Sequence, residues 1–525
     1  MNRLLSILIL ASISLCSLPT LNSPASNTLL TYLLKSLLKP AIEITIIYKG
    51  VSYKPGDTIE LGSSNAFSLT TYPIILKVTG TEPISINSKN AFTLETTSNG
   101  SLDVTTSNPP PTIWPVNYEQ PLDIVAMPDG NPKNEWKFKL QITSPSTTEL
   151  IYFVKINTNV KQSKVLVVSG SAFDQSFVSS FAFDSSAGTI SAENQLEFGA
   201  VNVVHNIESS YDNRYIFFNN LSNTNFRSFQ VGSNNSVTEV AGSPFSVIGN
   251  VTNIVKVPNK NMLVVAEVSN LHTIPYNSST GALGTLSGAF GTICSAPQVT
   301  FDSKGDYIFA STTILPQFIG QVQSSKINSD GSLTSNAVKT DPDITNLLGL
   351  HLRSKINKYL FTATHTPTPG ANNLKVSNIL RRFIDENGNI NNVDTYFTLS
   401  NNGQTHSNFI AHPSDKYFYL IGSTNTPGNF GIIQILNHDP KTGTVSFNSR
   451  VDIAGSQTVT GLKISPDGKY AAALVSVNNS VCFELTPGSC TFQVILYRIN
   501  SDGSFSQTQV YTRTSKLEFF TWAEF

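Results

Sequence analysis

Leu462–Val475 reads LKISPDGKYAAALV, and Tyr497–Gln507 reads YRINSDGSFSQ. The first phrase is a strand, a tight polar turn, and an apolar strand that opens on an aromatic residue. The second is a strand, an Asn/Asp/Ser turn closed by Gly, then a β-branched or aromatic residue. Gly supplies the positive φ such turns need, and Asp or Asn favours the hairpin geometry. Both phrases recur. The second returns as FAFDSSAGTIS from Phe181, FQVGSNNSVTE from Phe229, IPYNSSTGALG from Ile274, SKINSDGSLTS from Ser325, RFIDENGNINN from Arg382 and ILNHDPKTGTVS from Ile435. From Asp184 to Asp502 the step is about 53 residues, near the length of a propeller blade.

The first phrase alternates with the second. It returns as FIAHPSDKYFYLIG from Phe409, VTFDSKGDYIFAST from Val299 and HNIESSYDNRYIFFNN from His205. Degenerate copies are IVKVPNKNMLVVAE from Ile254 and LHLRSKINKYLFTAT from Leu350. A seventh copy is split. The chain ends on a lone apolar strand, KLEFFTWAEF (Lys516–Phe525), and the periodic region begins with an orphan strand, KVLVVSG (Lys164–Gly170). Joining the two completes a seventh unit and leaves no bare sheet edge. The expectation for residues 161–525 is a seven-bladed β-propeller closed by its C-terminal strand.

Composition agrees. Charged residues are 13% of the 525, and the net charge is -1; soluble domains usually carry roughly 25% charge. Polarity comes from Asn, Ser, Thr and Gly, as dozens of tight turns require. A near-neutral chain lacks the concentrated Lys and Arg that phosphate contacts need, so nucleic acid is not an expected partner.

Residues 41–160 read as a separate β-sandwich. Short β-rich runs such as IEITIIY, IILKV, LDIVAM and KFKLQI alternate with turn signals, and Pro109-Pro110-Pro111 reads as a loop within it. The order of LKVTGTEPISI (Leu76–Ile86), Phe92-Thr93-Leu94, Leu122–Ala126 and the KLQITS/YFVKIN hairpin resembles the choice-of-anchor and Hydin-like immunoglobulin-like modules of exported proteins. That resemblance implies a spacer or adhesion module.

The N-terminus, MNRLLSILILASISLCSLP, has one Arg3 before an apolar core that ends at Leu15, the pattern of a secretory signal. Three processing outcomes stay open: lipidation at Cys16, cleavage after Ala25 in Ser23-Pro24-Ala25, or a retained anchor. Leu29–Leu38 reads as a packed helical linker within 26–40, or as an amphipathic helix on a membrane surface. The expected address is the outer surface or periplasmic side of a cell envelope, reached by a lipid anchor, or secretion. Cys482 and Cys490 flank a Pro-Gly turn in FELTPGS, where a disulfide is plausible. Cys294 reads as a buried small hydrophobe. No Cys/His spacing points to zinc.

The SPDGKY turn, its HPSDKYFYL variant and the DGSL-type hairpins resemble the lactonase-type, 6-phosphogluconolactonase-like propeller family over residues 164–525. The resemblance implies the propeller fold. For activity it implies a His-rich phrase before an SPDG-like turn; the nearest here is GQTHSNFIAHP, in which only His406 matches. His412, at the HPS turn, reads as structural.

Aligning the repeats puts His205, Gln298, His351, His406 and Asn408 near the starts of the innermost strands, with Glu518 the acid on the last of them. Three His and a carboxylate would be able to bind a metal or activate water on a lactone carbonyl. Scattered His and Asn are also what strands lining a hydrated channel require. Arg381-Arg382 reads as a surface strand pair, of which at most one could grip an anion from a given face. Asn500-Ser501-Asp502-Gly503 reads as a hairpin turn rather than a calcium loop. The expectation is a non-catalytic exported module binding a protein or glycan, without a cofactor, a divalent metal being left open. The competing expectation is a lactonase-like hydrolase using His406 or His351.

Overall fold

A computed structural model describes residues 43–523, apart from 67, 81, 87–91, 97–100, 106–109, 130–132, 145–146, 160–163, 173–174, 199–203, 221–224, 247–250, 268–269, 289, 292–298, 315–318, 346–349, 354–358, 368–373, 399–403, 425–430, 454–456, 478–490 and 514–515. Cys16, the Ala25 cleavage point, the Leu29–Leu38 segment, Cys294, Gln298, Cys482 and Cys490 lie outside the described residues. Every assigned element among the described residues is a β-strand.

The chain divides into two compact units, Met1–Gly62 with Thr70–Ala126 and Lys133–Asn157, and Ser63–Leu69 with Met127–Pro132 and Thr158–Phe525. In the first, two antiparallel sheets share one core. Its strands alternate: Glu119–Met127 (EQPLDIVAM) buries Gln120, Leu122, Ile124 and Ala126 and turns the intervening residues outward. That period of two marks a strand with one face on a core. Trp114, Trp136, Phe138 and Tyr152 fill the centre, and the Tyr152 hydroxyl donates to the Ile44 carbonyl at 2.7 Å.

The second unit is a succession of antiparallel sheets, numbered here I to VII. Sheet I pairs Lys516–Ala523 with Val165–Ala172, followed by Gln175–Asp184 and Thr189–Phe198. Sheets II to VII then begin at Val204–Ser209, Val251–Lys256, Val299–Phe301, Leu350–Arg353, Gln404–Ala411 and Gln457–Ile464, and each continues outward through the strands that follow in sequence. Second strands open on apolar runs, as in Tyr470–Val477 (YAAALVSV), buried from Tyr470 to Val475. Continuous burial means packing on both faces. Alternate residues serve opposite neighbours: Ile216 and Phe218 of sheet II join the core shared with sheet I, while Phe217 joins the core shared with sheet III. The same division recurs between later sheets, and one core packs Ala472 and Leu474 of sheet VII against Leu166 and Trp522 of sheet I. Fourth strands such as Phe505–Arg513 (FSQTQVYTR) are largely solvated. Many small antiparallel sheets packed face to face in this manner make a β-propeller.

The two sequence phrases turn out to be one lock. The Tyr that opens a second strand lies against the turn Gly of the next sheet: Tyr215 on Gly281, Tyr307 on Gly388, Tyr359 on Gly443, Tyr417 on Gly503 and Tyr470 on Gly188. A methyl group at any of these glycines would overlap the ring. Gly503 and Gly188 also hold φ of 81° and 74°, where an L side chain is strained. The hydroxyls of Tyr215, Tyr417 and Tyr470 each donate to a turn carbonyl, of Ser279, Ser501 and Ser185, at 2.6 Å. In sheet III Met262 replaces the Tyr and faces Gly331. The Asp502 carboxylate accepts from the Ser504 hydroxyl (2.6 Å) and amide (3.0 Å); these bonds hold its carboxyl below the usual range and satisfy the turn internally.

Candidate functional site in the first strands

First strands of neighbouring sheets lie side by side: II beside I and III, IV beside V, V beside VI, VI beside VII, and VII beside I. Among the described residues five of them carry a bulge, where the register against the second strand skips one residue. The extra residues are Glu518 in sheet I, His205 in II, Thr252 in III, Ser407 in VI and Thr460 in VII. A bulge re-aims a side chain and is favoured next to binding sites. His205 and Glu518 are thus extra residues, and His406 and Asn408 flank a third. Asn408 accepts from the Phe409 amide at 2.8 Å. His351 stands on the first strand of sheet V, paired with Thr362.

The two arginines are on the third strand of sheet V, Leu374–Ile384. Arg381 pairs with Asp394 at 3.0 and 3.1 Å, and its guanidinium lies 4.6 Å from the Tyr359 ring centre. Arg382 departs from the surface reading: it is fully buried and donates to the Thr362 hydroxyl at 2.9 Å. The reason is its register, because its partner Leu360 packs in the core between sheets IV and V. Thr362 is also the strand partner of His351, so Arg382, unlike Arg381, reaches the neighbour of a first strand. His412 is structural, with Nδ1 2.7 Å from the Ser414 hydroxyl and Nε2 2.8 Å from the Gly468 carbonyl, tying the turn of sheet VI to that of VII.

A charged cluster that repeat alignment did not single out lies at the far ends of the first strands. Glu208 of sheet II is buried. Lys463 Nζ of sheet VII lies 3.4 Å from its Oε2, and Lys256 Nζ of sheet III lies 3.7 Å from its Oε1. Lys256 also donates to the Ser209 hydroxyl (2.7 Å) and the Asn213 side-chain oxygen (3.1 Å). Glu208 and Lys463 each sit three residues past the bulge residue of their strand, where the other copies carry Val255, Ile410 and Thr521. Charge at an otherwise neutral repeat position was the available signal.

Burial pushes the Glu208 carboxyl up, but Lys463, Lys256 and the Ser209 amide outweigh it and hold it below the ordinary value of 4.5. A carboxyl depressed by folding stabilises the fold above its unfolded pKa, and that contribution disappears as pH falls through the folded value. Glu208→Gln should therefore flatten the acid-side loss of stability, read as urea midpoints from neutral pH downward. Parallel curves for variant and wild type would refute the ion-pair role.

No protein family and no curated protein matches this chain. Solved structures do. A periplasmic gluconolactonase from Pseudomonas aeruginosa superposes with a TM-score of 0.51 at 12% identity, covering 69% of this chain and 99% of that one. A candidate 6-phosphogluconolactonase from Bacteroides fragilis gives 0.50 at 13% identity, covering 69% and 99%. A hypothetical selenium-binding protein from Sulfolobus tokodaii gives 0.50 at 10%, covering 69% and 94%. The class defined is the β-propeller fold. At these identities the likeness concerns the fold alone.

Proposed function

We propose that this chain is an exported protein whose sheets I to VII are the blades of a ring closed by Lys516–Ala523, and that the ring is a non-catalytic binding module for a protein or glycan. The immunoglobulin-like N-terminal unit serves as spacer, and Cys16 lipidation or cleavage after Ala25 sets whether the module stays on the envelope or is released. The observation that carries the reading is the Glu208 cluster. A carboxylate kept ionised between two lysines is committed as a counter-ion; Lys256 is held by Ser209 and Asn213, and Lys463, its side chain 43% exposed, offers its ammonium group to an incoming ligand. The fully buried Arg382 is likewise committed to Thr362. Purified protein should hydrolyse sugar lactones no faster than buffer, and His406→Ala should change nothing. Efficient hydrolysis abolished by His406→Ala would overturn the reading. Mass spectrometry of the mature N-terminus tests the address.

A second reading, a lactonase-like hydrolase, has two supports: the lactonase-like neighbours in fold, and the Arg382–Thr362–His351 connection. In it His351 or His406 is the base and Arg382 orders the site. It requires lactonase activity that falls on replacement of either histidine.

A further inference from the structure

Three buried polar side chains share the face between sheets II and III. His272 is 3% exposed, Glu267 8% and Asn219 1%. Their strand partners fix that face. His272 pairs with Val265 and Glu267 with Val251, and both valines belong to the apolar core between the two sheets. From the opposite side, Asn219 pairs with Phe226 of the same core and its Nδ2 donates to the Val251 carbonyl at 3.4 Å.

Each residue holds one buried polar atom without a hydrogen-bond partner: His272 Nε2, Glu267 Oε1 and Asn219 Oδ1. Such atoms cost about 1–3 kcal/mol each when left unmatched. Glu267 Oε1 and Asn219 Oδ1 are acceptors, and His272 Nε2 is one in the neutral ring. His272 Nδ1 lies 3.0 Å from the Ser287 carbonyl, which can only accept, so Nδ1 carries a proton, and in the neutral ring Nε2 presents its lone pair. Glu267 Oε2 accepts one long hydrogen bond, from Asn270 Nδ2 at 3.4 Å.

The Nε2···Oε2 separation is 3.5 Å, beyond the usual N–H···O range of about 2.7–3.2 Å. Two donor atoms each about 2.1 Å from one ion, at the tetrahedral angle, stand about 3.4 Å apart. An imidazole whose other nitrogen donates to a backbone carbonyl is the usual preparation of a metal-ligating histidine. Among the described residues no three His, Cys, Asp or Glu gather, so an amide oxygen has to serve as third protein ligand.

We propose that His272 Nε2 and Glu267, with Asn219 Oδ1 from the same inter-sheet face as third ligand, form a site for a divalent cation of the zinc type that braces sheet II to sheet III, water completing the shell. The site is independent of the functional reading above.

The test uses the full chain, stripped with chelator and titrated with zinc chloride. One equivalent should bind, and Glu267→Gln and His272→Gln should each weaken it at least about tenfold. Nitrogen-15 NMR of the histidines in unaltered protein removes dependence on how the variants fold: zinc should shift the His272 Nε2 resonance while Nδ1 stays protonated. The proposal fails if no stoichiometric binding occurs up to about 1 mM zinc, the weak end of biological divalent-cation sites. It fails equally if the variants bind like wild type, or if His272 Nε2 carries a proton in the presence of zinc.

Discussion

Tyr470→Ala should destabilise the propeller unit by about 3–5 kcal/mol, the usual cost of truncating a buried aromatic side chain to alanine. Tyr470 is 3% exposed. Its ring fills the space over Gly188, and packs edge-on against Phe183 at 5.0 Å. Phe183 in turn packs on Trp522 at the same distance, so the ring anchors a chain of aromatics between sheets VII and I. Tyr470→Phe keeps that packing and loses only the bond to the Ser185 carbonyl, which should cost about 0.5–1.5 kcal/mol. The half-exposed Val510 is a control: Val510→Ala should stay within about 0.5 kcal/mol of wild type. Denaturant midpoints for the three variants check the order. If Tyr470→Ala were as mild as Val510→Ala, the Tyr–Gly lock would not be what couples these sheets.

Both halves of that lock are visible in the sequence, as the Tyr that follows five of the polar turns and the Gly of the hairpins those rings meet. Their partnership is not. Tyr417 meets Gly503 and Tyr470 meets Gly188 across long stretches of chain, and a repeat pattern gives the period of such residues without saying which copy touches which. The strands themselves were legible because burial on both faces demands runs such as YAAALV, and burial on one face demands alternation as in EQPLDIVAM. The bulges were not legible, since a skipped residue is a property of a strand pair rather than of a strand. This matters for the site. His205 and Glu518 stand out in the sequence by chemistry and place in the repeat, and only the register shows that they are bulge residues. The burial of Arg382 is hidden from the sequence for the same reason, because only pairing with Leu360 shows that it points into a core. The Glu208–Lys256–Lys463 cluster is not legible in the sequence because Lys463 and Glu208 stand 255 positions apart and neither residue type announces a partner.

Deleting residues 514–525 should leave the propeller unit unable to fold, while the sandwich strands keep their protection. The C-terminal strand is the first strand of sheet I and pairs with Val165–Ala172 from Ala523 back to Lys516. It buries Leu517, Phe520 and Trp522, and the Trp522 indole donates to the Lys463 carbonyl of sheet VII at 3.2 Å. Burying a large apolar side chain is worth about 1.5–3 kcal/mol, so three of them contribute about 5–9 kcal/mol, as much as the whole margin of about 5–15 kcal/mol by which domains are stable. The loss also bares the edge of Val165–Ala172, an unpaired hydrophobic strand of the kind that recruits other chains. The truncated protein should therefore aggregate, and limited proteolysis should digest residues 165–513 while sparing 44–157. A peptide of residues 514–525 added during refolding should recover part of the soluble fraction, because the missing strand enters through backbone pairing and three side chains rather than through a covalent link. An open solenoid loses only one end repeat on such a cut and keeps the rest folded. A truncated chain with the wild-type unfolding midpoint would therefore refute ring closure, whatever the module binds.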